Sequence, residues 1–392
     1  MPNNFHQIQM VFHPLAFFSG MVLGIVMLVD AFEAIILPRR VTRKIRLARI
    51  FYRSTWRIWR TVAGSIADRK SRESVLGVYG PISLLVLIAV WALGLVTAFA
   101  LMQFGAGSAI AVQTGSAGFR TDFYLSATTF FTLGLGDVLP RSHLARELLI
   151  TEAGLGYGFL AVIVGYLPFI YGSFSKREVN ISLLDARAGT PPTAGELLRR
   201  YSYPEGAEAL RALLAEWEIW CAELMESHLS YPVLAYFRSQ HDNQSWIGSL
   251  TAILDSCALV KTGIEGACER QADLTFAIAR HAVVDLSQVF GTTPRTPGTE
   301  RLTESDLRQI RDTLAAHGMN LRDGEEADRR LLELRRMYEP YVYALASYLS
   351  QPLPPWIPQK KGKDNWQTTA WARESGLLAK KDVTTVVVDE HF

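Results

Sequence analysis

Long apolar runs alternate with arginine-rich or mixed stretches along the first 175 positions. Leu15 to Leu37 consists mostly of Leu, Ile, Val, Met and Phe, is interrupted by Asp30 and Glu33, and ends at Pro38. No Asp, Glu, Lys or Arg stands between Glu73 and Arg120, and none between Glu152 and Lys176. Such gaps exceed the roughly 18 apolar residues that mark a bilayer span. The pattern predicts three transmembrane helices, near residues 15–37, 82–102 and 148–174. A cleaved leader carries basic residues before its apolar core, and none precede the first span, so that span is expected to remain in the membrane.

Between the first two spans the pattern becomes amphipathic. Arg39, Arg43, Arg46, Arg49, Arg53, Arg57 and Arg60 recur every three or four positions, while Ile45, Tyr52, Trp56, Trp59 and Ala63 recur on another face. This is the periodicity of an interfacial helix. Arg46, Arg49, Arg53, Arg57 and Arg60, with Trp56 and Trp59, are the candidate lipid contacts, and anionic inner-leaflet lipid is the expected partner rather than nucleic acid. The positive-inside rule puts this connection in the cytoplasm, the N-terminus outside and the C-terminal half inside. Asp30 and Glu33 lie at the span end that meets these arginines, so helix-end ion pairing is favoured over a sensor role.

Charge divides the chain in the same way. Residues 1–175 hold 15 basic and 8 acidic side chains, and residues 176–392 hold 25 and 30. Cys221, Cys257 and Cys268 all fall in the second part without Cys-x-x-Cys spacing, which indicates neither a disulfide framework nor a zinc site and fits a reducing compartment.

The candidate chemistry lies between the second and third apolar runs. Phe123 to Phe131 is a short apolar, hydroxyl-rich segment, capped by Thr121 or Asp122, and Thr132-Leu133-Gly134-Leu135-Gly136-Asp137 and Pro140 follow it. Alternate glycines let successive carbonyls turn to one side, where they can replace the water around a cation. The six residues resemble the Thr-Val-Gly-Tyr-Gly filter of potassium channels. Residues 76–175 look like a bacterial potassium channel of the two-transmembrane-plus-pore-loop type, here with an extra N-terminal span. The resemblance implies a tetrameric pore in which Thr132 supplies a hydroxyl and a carbonyl, Leu133, Gly134 and Leu135 supply carbonyls, and Gly136 leads the chain out to Asp137. In the family a filter tyrosine props the filter against pore-helix aromatics. Leu135 cannot make that bond, although Phe130 and Phe131 can pack on it.

Spacing from the filter likewise resembles the family at Pro140, Arg146 and Gly156, which makes Gly156 the hinge candidate; Pro168 is a second bend near the cytoplasmic gate. Glu152, one turn before Gly156, has two readings: a cavity charge that concentrates cations, or a buried brace against the pore helix. Small residues elsewhere in the third span are read as helix-packing positions.

From Lys176 onward the chain reads as amphipathic helices joined by Pro/Gly-rich connections. Leu210, Leu213, Trp217, Cys221 and Leu224 share one helical face, and so do Leu274, Ile278, Ala282, Leu286 and Val289. Leu331 to Tyr348 reads as one long helix kinked at Pro340, and Thr193 with Glu196 as a capping box. His228, His241, Cys257 and Cys268 lack metal-ligand spacing, and no nucleotide-binding glycine motif or catalytic arrangement is present.

The expected protein is an all-α membrane protein with three transmembrane helices and a re-entrant pore loop per subunit. Its segments are 1–38 (first span), 39–75 (basic connection), 76–175 (pore domain), 176–351 (helical cytoplasmic domain) and 352–392 (irregular tail). The expected function is passive potassium conduction in a bacterial inner membrane by a homotetramer gated by the cytoplasmic half. It needs no cofactor and no metal beyond the permeant K+, and takes an unidentified cytosolic ligand or partner. The alternatives are a non-selective cation channel and a non-conducting membrane receptor or scaffold.

Overall fold

The computed structural model describes residues 13–37, 46–112, 117–240, 243–264, 268–296, 298 and 300–358. Arg39, Arg40, Arg43, Ile45, His241 and most of the expected C-terminal tail lie outside them. The chain divides into two compact units, one of residues 1–174 with 229–237, the other of 175–228 with 238–392.

In the first unit, α1 (Pro14–Ile35) is followed by α2 (Leu47–Gly64), α3 (Arg69–Gly105), β1 (Ile110–Val112), α4 (Phe119–Phe130), β2 (Val138–Pro140) and α5 (His143–Ala188). Three of these, α1, α3 and α5, are long and apolar enough to cross a membrane. α3 starts well before the expected span because Asp68 caps it by accepting from Ser71 N at 2.7 Å. α5 continues past the expected end at 174, and its residues from Ser175 onward belong to the second unit.

α1 packs along α3 where small residues let the backbones approach: a Cβ at Gly20 would stand 2.5 Å from the Ala98 carbonyl oxygen. Asp30 accepts from Ala48 N at 3.1 Å and from Trp91 Nε1 at 2.9 Å. It thus satisfies an orphan donor at the start of α2, where the helix dipole favours a negative charge. Glu33 pairs with Arg46 at 3.4 Å. Helix-end pairing therefore holds for Glu33, while Asp30 is held by neutral N–H groups.

α2 is attached to α3 through its aromatic face. Trp56 is 2% exposed and its ring lies 4.8 Å from that of Tyr79, Trp59 Nε1 donates to the Val75 carbonyl at 2.9 Å, and Thr55 Oγ1 lies 2.9 Å from Tyr79 OH. The two tryptophans read as lipid contacts are thus engaged by protein.

The second unit is helical: α6 (Ala194–Arg200), α7 (Gly206–Ser230), α8 (Trp246–Gly263), α9 (Glu269–Phe290), α10 (Glu304–Ala316), α11 (Glu325–Arg336) and α12 (Glu339–Leu349). α8 is buried along nearly its whole length, so it is the core helix around which the others pack. The expected α7 face is buried as read; on α9, Ala282 and Leu286 of the expected face are buried together with Ala272, Thr275, Phe276 and Ala279, while Leu274 is 40% exposed. The expected single helix from Leu331 to Tyr348 is two helices. Pro340 stands in the first turn of α12, where a missing N–H costs nothing. Asp255 of α8 is fully buried, pairing with Arg301 at 2.6 Å and accepting from Tyr338 OH at 2.5 Å. Arg301 also pairs with Glu339 at 3.2 Å and donates to the Pro354 carbonyl at 2.8 Å, which ties the segment after α12 to the core.

Candidate functional site

The pore segment is built from α4 outward. α4 begins at Phe119 behind Gly118, ahead of the expected caps, and places Asp122 in its first turn, where Asp122 accepts from Ser108 Oγ at 2.6 Å. The first-turn carboxylate complements the helix dipole, and the partially negative C-terminal end at Phe130 precedes the filter-like residues. There the Thr128 carbonyl accepts from Leu133 N at 2.7 Å and from Gly134 N at 3.3 Å, which turns the chain sharply out of the helix.

Thr132, Gly134 and Gly136 have φ of 59°, 53° and 76°, whereas Leu133 and Leu135 are not in the left-handed region. Left-handed residues alternating with ordinary ones are what allow successive carbonyls to share a side, and glycine carries two of the three at no steric cost. Thr132 takes the third despite its β-branch, a strained position of the kind that collects at functional sites. Leu133 and Leu135 are each 63% exposed in the single chain.

Two devices hold this loop. Tyr124 OH of α4 donates to Asp137 Oδ2 at 3.0 Å, tying the end of the loop to the pore helix. β1 then pairs antiparallel with β2, Val112 opposite Val138 and Ile110 opposite Pro140. Ile110, Leu125 and Val138 bury one side of that ribbon. The Tyr124 strut was not read from the sequence; the signal was a tyrosine on the same segment as the filter's aspartate, 13 positions ahead of it. The first strand of the ribbon lies in the stretch that connects α3 to α4. Phe130 packs its ring on Phe159 of α5 at 5.8 Å.

Gly156 is where α5 meets the end of α4. A Cβ there would lie 2.2 Å from the Phe130 carbonyl oxygen, while Gly154, Gly158, Gly165 and Gly172 face open space. α5 runs unbroken through Gly156 and Pro168. Glu152 is 0% exposed and hydrogen-bonded to Ser126 of α4, the position that a buried brace would take. Gln103 Nε2 of α3 donates to the Ala145 carbonyl of α5 at 3.0 Å, a further tie between the two helices flanking α4.

On α2, Arg49, Arg53, Arg57 and Arg60 are exposed, and Ile50, Ile58 and Val62 form a second apolar face that is 53–66% exposed. Arg46 turns inward to Glu33. In the second unit, His228 is buried beside Arg177 Nη1 at 3.2 Å, and Cys221, Cys257 and Cys268 are free thiols. No group of three or more His, Cys, Asp or Glu side chains fit to hold a metal occurs among the described residues.

Two apolar helices flanking a short helix and a loop of alternating handedness define a pore-loop domain of the ion-channel class. Residues 84–168 match the family model Ion_trans_2, described as ion channel, and those bounds run from within α3 to Pro168 of α5. This is an ion-channel domain in a membrane protein. No curated protein and no solved structure matches the chain.

Proposed function

We propose that the protein conducts potassium passively through a pore of four copies of the Thr132 to Gly136 loop. The observation that carries the reading is the alternating backbone at Thr132, Gly134 and Gly136 at the C-terminal end of α4. One loop cannot surround an axis, and fourfold closure gives each exposed carbonyl three symmetry mates with which to replace ion hydration. Asp137 stands at the outer end of the loop and Gly156 and Pro168 are the places where α5 bends to open it.

Control by the C-terminal half is supported by the path of the chain. Residues 229–237 leave α7 and belong to the first unit before the chain returns to the second. Val233 and Leu234 share a core with Leu84 of α3 and with Tyr166 and Ile170 of α5, two residues either side of Pro168. Tyr231 packs on Phe169, and Phe237 on Tyr171 and Phe174. A movement of α7 is thereby delivered by covalent connection to the part of α5 beyond the pore. The exposed arginines of α2 take anionic headgroups on the inner leaflet while Ile50, Ile58 and Val62 dip into the acyl boundary.

A non-selective cation pore is the second reading, favoured by Leu133 and Leu135, whose aliphatic side chains offer no hydrogen bond to stiffen the loop. The reversal potential of purified protein in a planar bilayer, with potassium on one side and sodium on the other, separates the two. A strong shift supports potassium selectivity, a value near zero with robust current supports the non-selective pore, and absence of current at all conditions overturns conduction.

A further inference from the structure

The buried side of the pore helix is tied to both flanking helices through one hydroxyl. Ser126 Oγ of α4 lies 2.8 Å from the Val96 carbonyl oxygen of α3 and also hydrogen-bonds Glu152 Oε1 of α5. Ser126 and Glu152 are both fully buried, and Glu152 Oε2 has no hydrogen-bond partner. Ser126 is the one polar side chain bonded to Glu152, and no basic side chain pairs with it among the described residues.

Counting hydrogens restricts what this arrangement can be. A serine hydroxyl has a single hydrogen to donate and lone pairs with which to accept. The Val96 carbonyl can only accept, so if the Ser126 hydrogen goes there, the hydrogen between Ser126 and Glu152 must come from the carboxyl. An ionised Glu152 would have to draw the Ser126 hydrogen to itself, leave the Val96 contact without one, and sit buried as an unpaired charge with its second oxygen unsatisfied. Unpaired buried charge is the costlier arrangement by far.

We propose that Glu152 is held as the neutral acid and donates to Ser126 Oγ, which donates to the Val96 carbonyl. This one-way chain pins α4 between α3 and α5. Glu152 is then a positioning residue: it fixes the pore helix one turn before Gly156, where α5 touches the last carbonyl of α4. Its bearing on conduction rests on the channel reading above, whereas its protonation does not.

The test is infrared difference spectroscopy on the full-length protein in lipid at neutral pH, comparing wild type, Glu152→Gln and Ser126→Ala. The expected result is a protonated-carboxyl C=O band in the wild type that is lost in Glu152→Gln. Ser126→Ala keeps the band but moves it to higher frequency, because the acid has lost its acceptor. A Glu152→Gln difference made only of carboxylate bands, or a band that Ser126→Ala leaves unmoved, overturns the proposal. In bilayers, Glu152→Gln, whose amide can still donate to Ser126, is expected to keep the wild-type reversal potential, and Ser126→Ala to shift it. If the wild type passes no current, conduction has failed while the spectra still decide the charge of Glu152.

Discussion

Tyr124, Gly156 and His228 each turn on one contact. The Tyr124 hydroxyl is the strut between α4 and the end of the loop. Tyr124→Phe removes this one hydrogen bond and is expected to loosen the loop while leaving the fold intact. The measurement is the reversal potential between potassium and sodium, which should move toward zero. Gly156→Ala places a Cβ against the rigid Phe130 carbonyl, and overpacking of this kind costs about 1–3 kcal/mol. Gly154→Ala, in open space on the same helix, should instead leave thermal stability equal or raise it by about 1 kcal/mol. His228 is held well below its ordinary value of 6.5, first by burial and then by the Arg177 charge. Because Arg177 only donates, the Nε2 facing it accepts, and the ring is neutral in the folded state. A depressed folded value means that the unfolded chain binds the proton first. Stability from this residue is therefore complete above about pH 6.5 and is lost progressively as pH falls below it. A thermal melt series from pH 7.5 to 5 should fall, and should fall less in His228→Gln.

At the scale of elements, the segment 229–237 carries a consequence for α3. Gly80 faces Phe237, and a Cβ there would meet the ring at 2.7 Å. Tyr236 extends the same contact by packing on Tyr52, Trp56 and Tyr79, with ring centroids 5.2–5.7 Å apart. Gly80→Ala and Phe237→Ala, one overfilling and the other emptying the same spot, are both expected to change open probability without changing unitary conductance, as read in single-channel records. Equal open probability in wild type and both variants would disconnect the segment from gating. The existence of α1, α2, α3 and α5 was legible because each carries a long uniform signal, either unbroken apolarity or an arginine repeat. α4 and its loop were legible from glycine spacing. The boundaries of α3 and α5 were not, because both helices continue into polar sequence where hydropathy gives no mark. The contacts of Trp56 and Trp59 with α3 were not legible for a related reason: an amphipathic pattern identifies an apolar face without saying whether lipid or protein covers it. α2 has two such faces, and the aromatic one went to Tyr79 and Tyr236.

At the scale of the whole molecule, the proposed pore needs like copies around an axis to cover the exposed Leu133 and Leu135 and the apolar α5 surface. Native mass spectrometry of the detergent-solubilised protein is expected to give a tetramer, and a stable monomer or dimer would sink the pore. The sequence by itself determined the membrane character, the three spans, the pore loop and the helical nature of the second half, since these follow from local properties: length, periodicity, charge and glycine spacing. Only the tertiary structure decided that Glu152 faces Ser126, that Asp137 is held by Tyr124, and that residues 229–237 pack among α2, α3 and α5. Those contacts join positions 13 to 184 apart along the chain. A carboxylate, a tyrosine or a Tyr-Pro segment has the same local pattern whichever neighbour it meets, so packing alone assigns the partner.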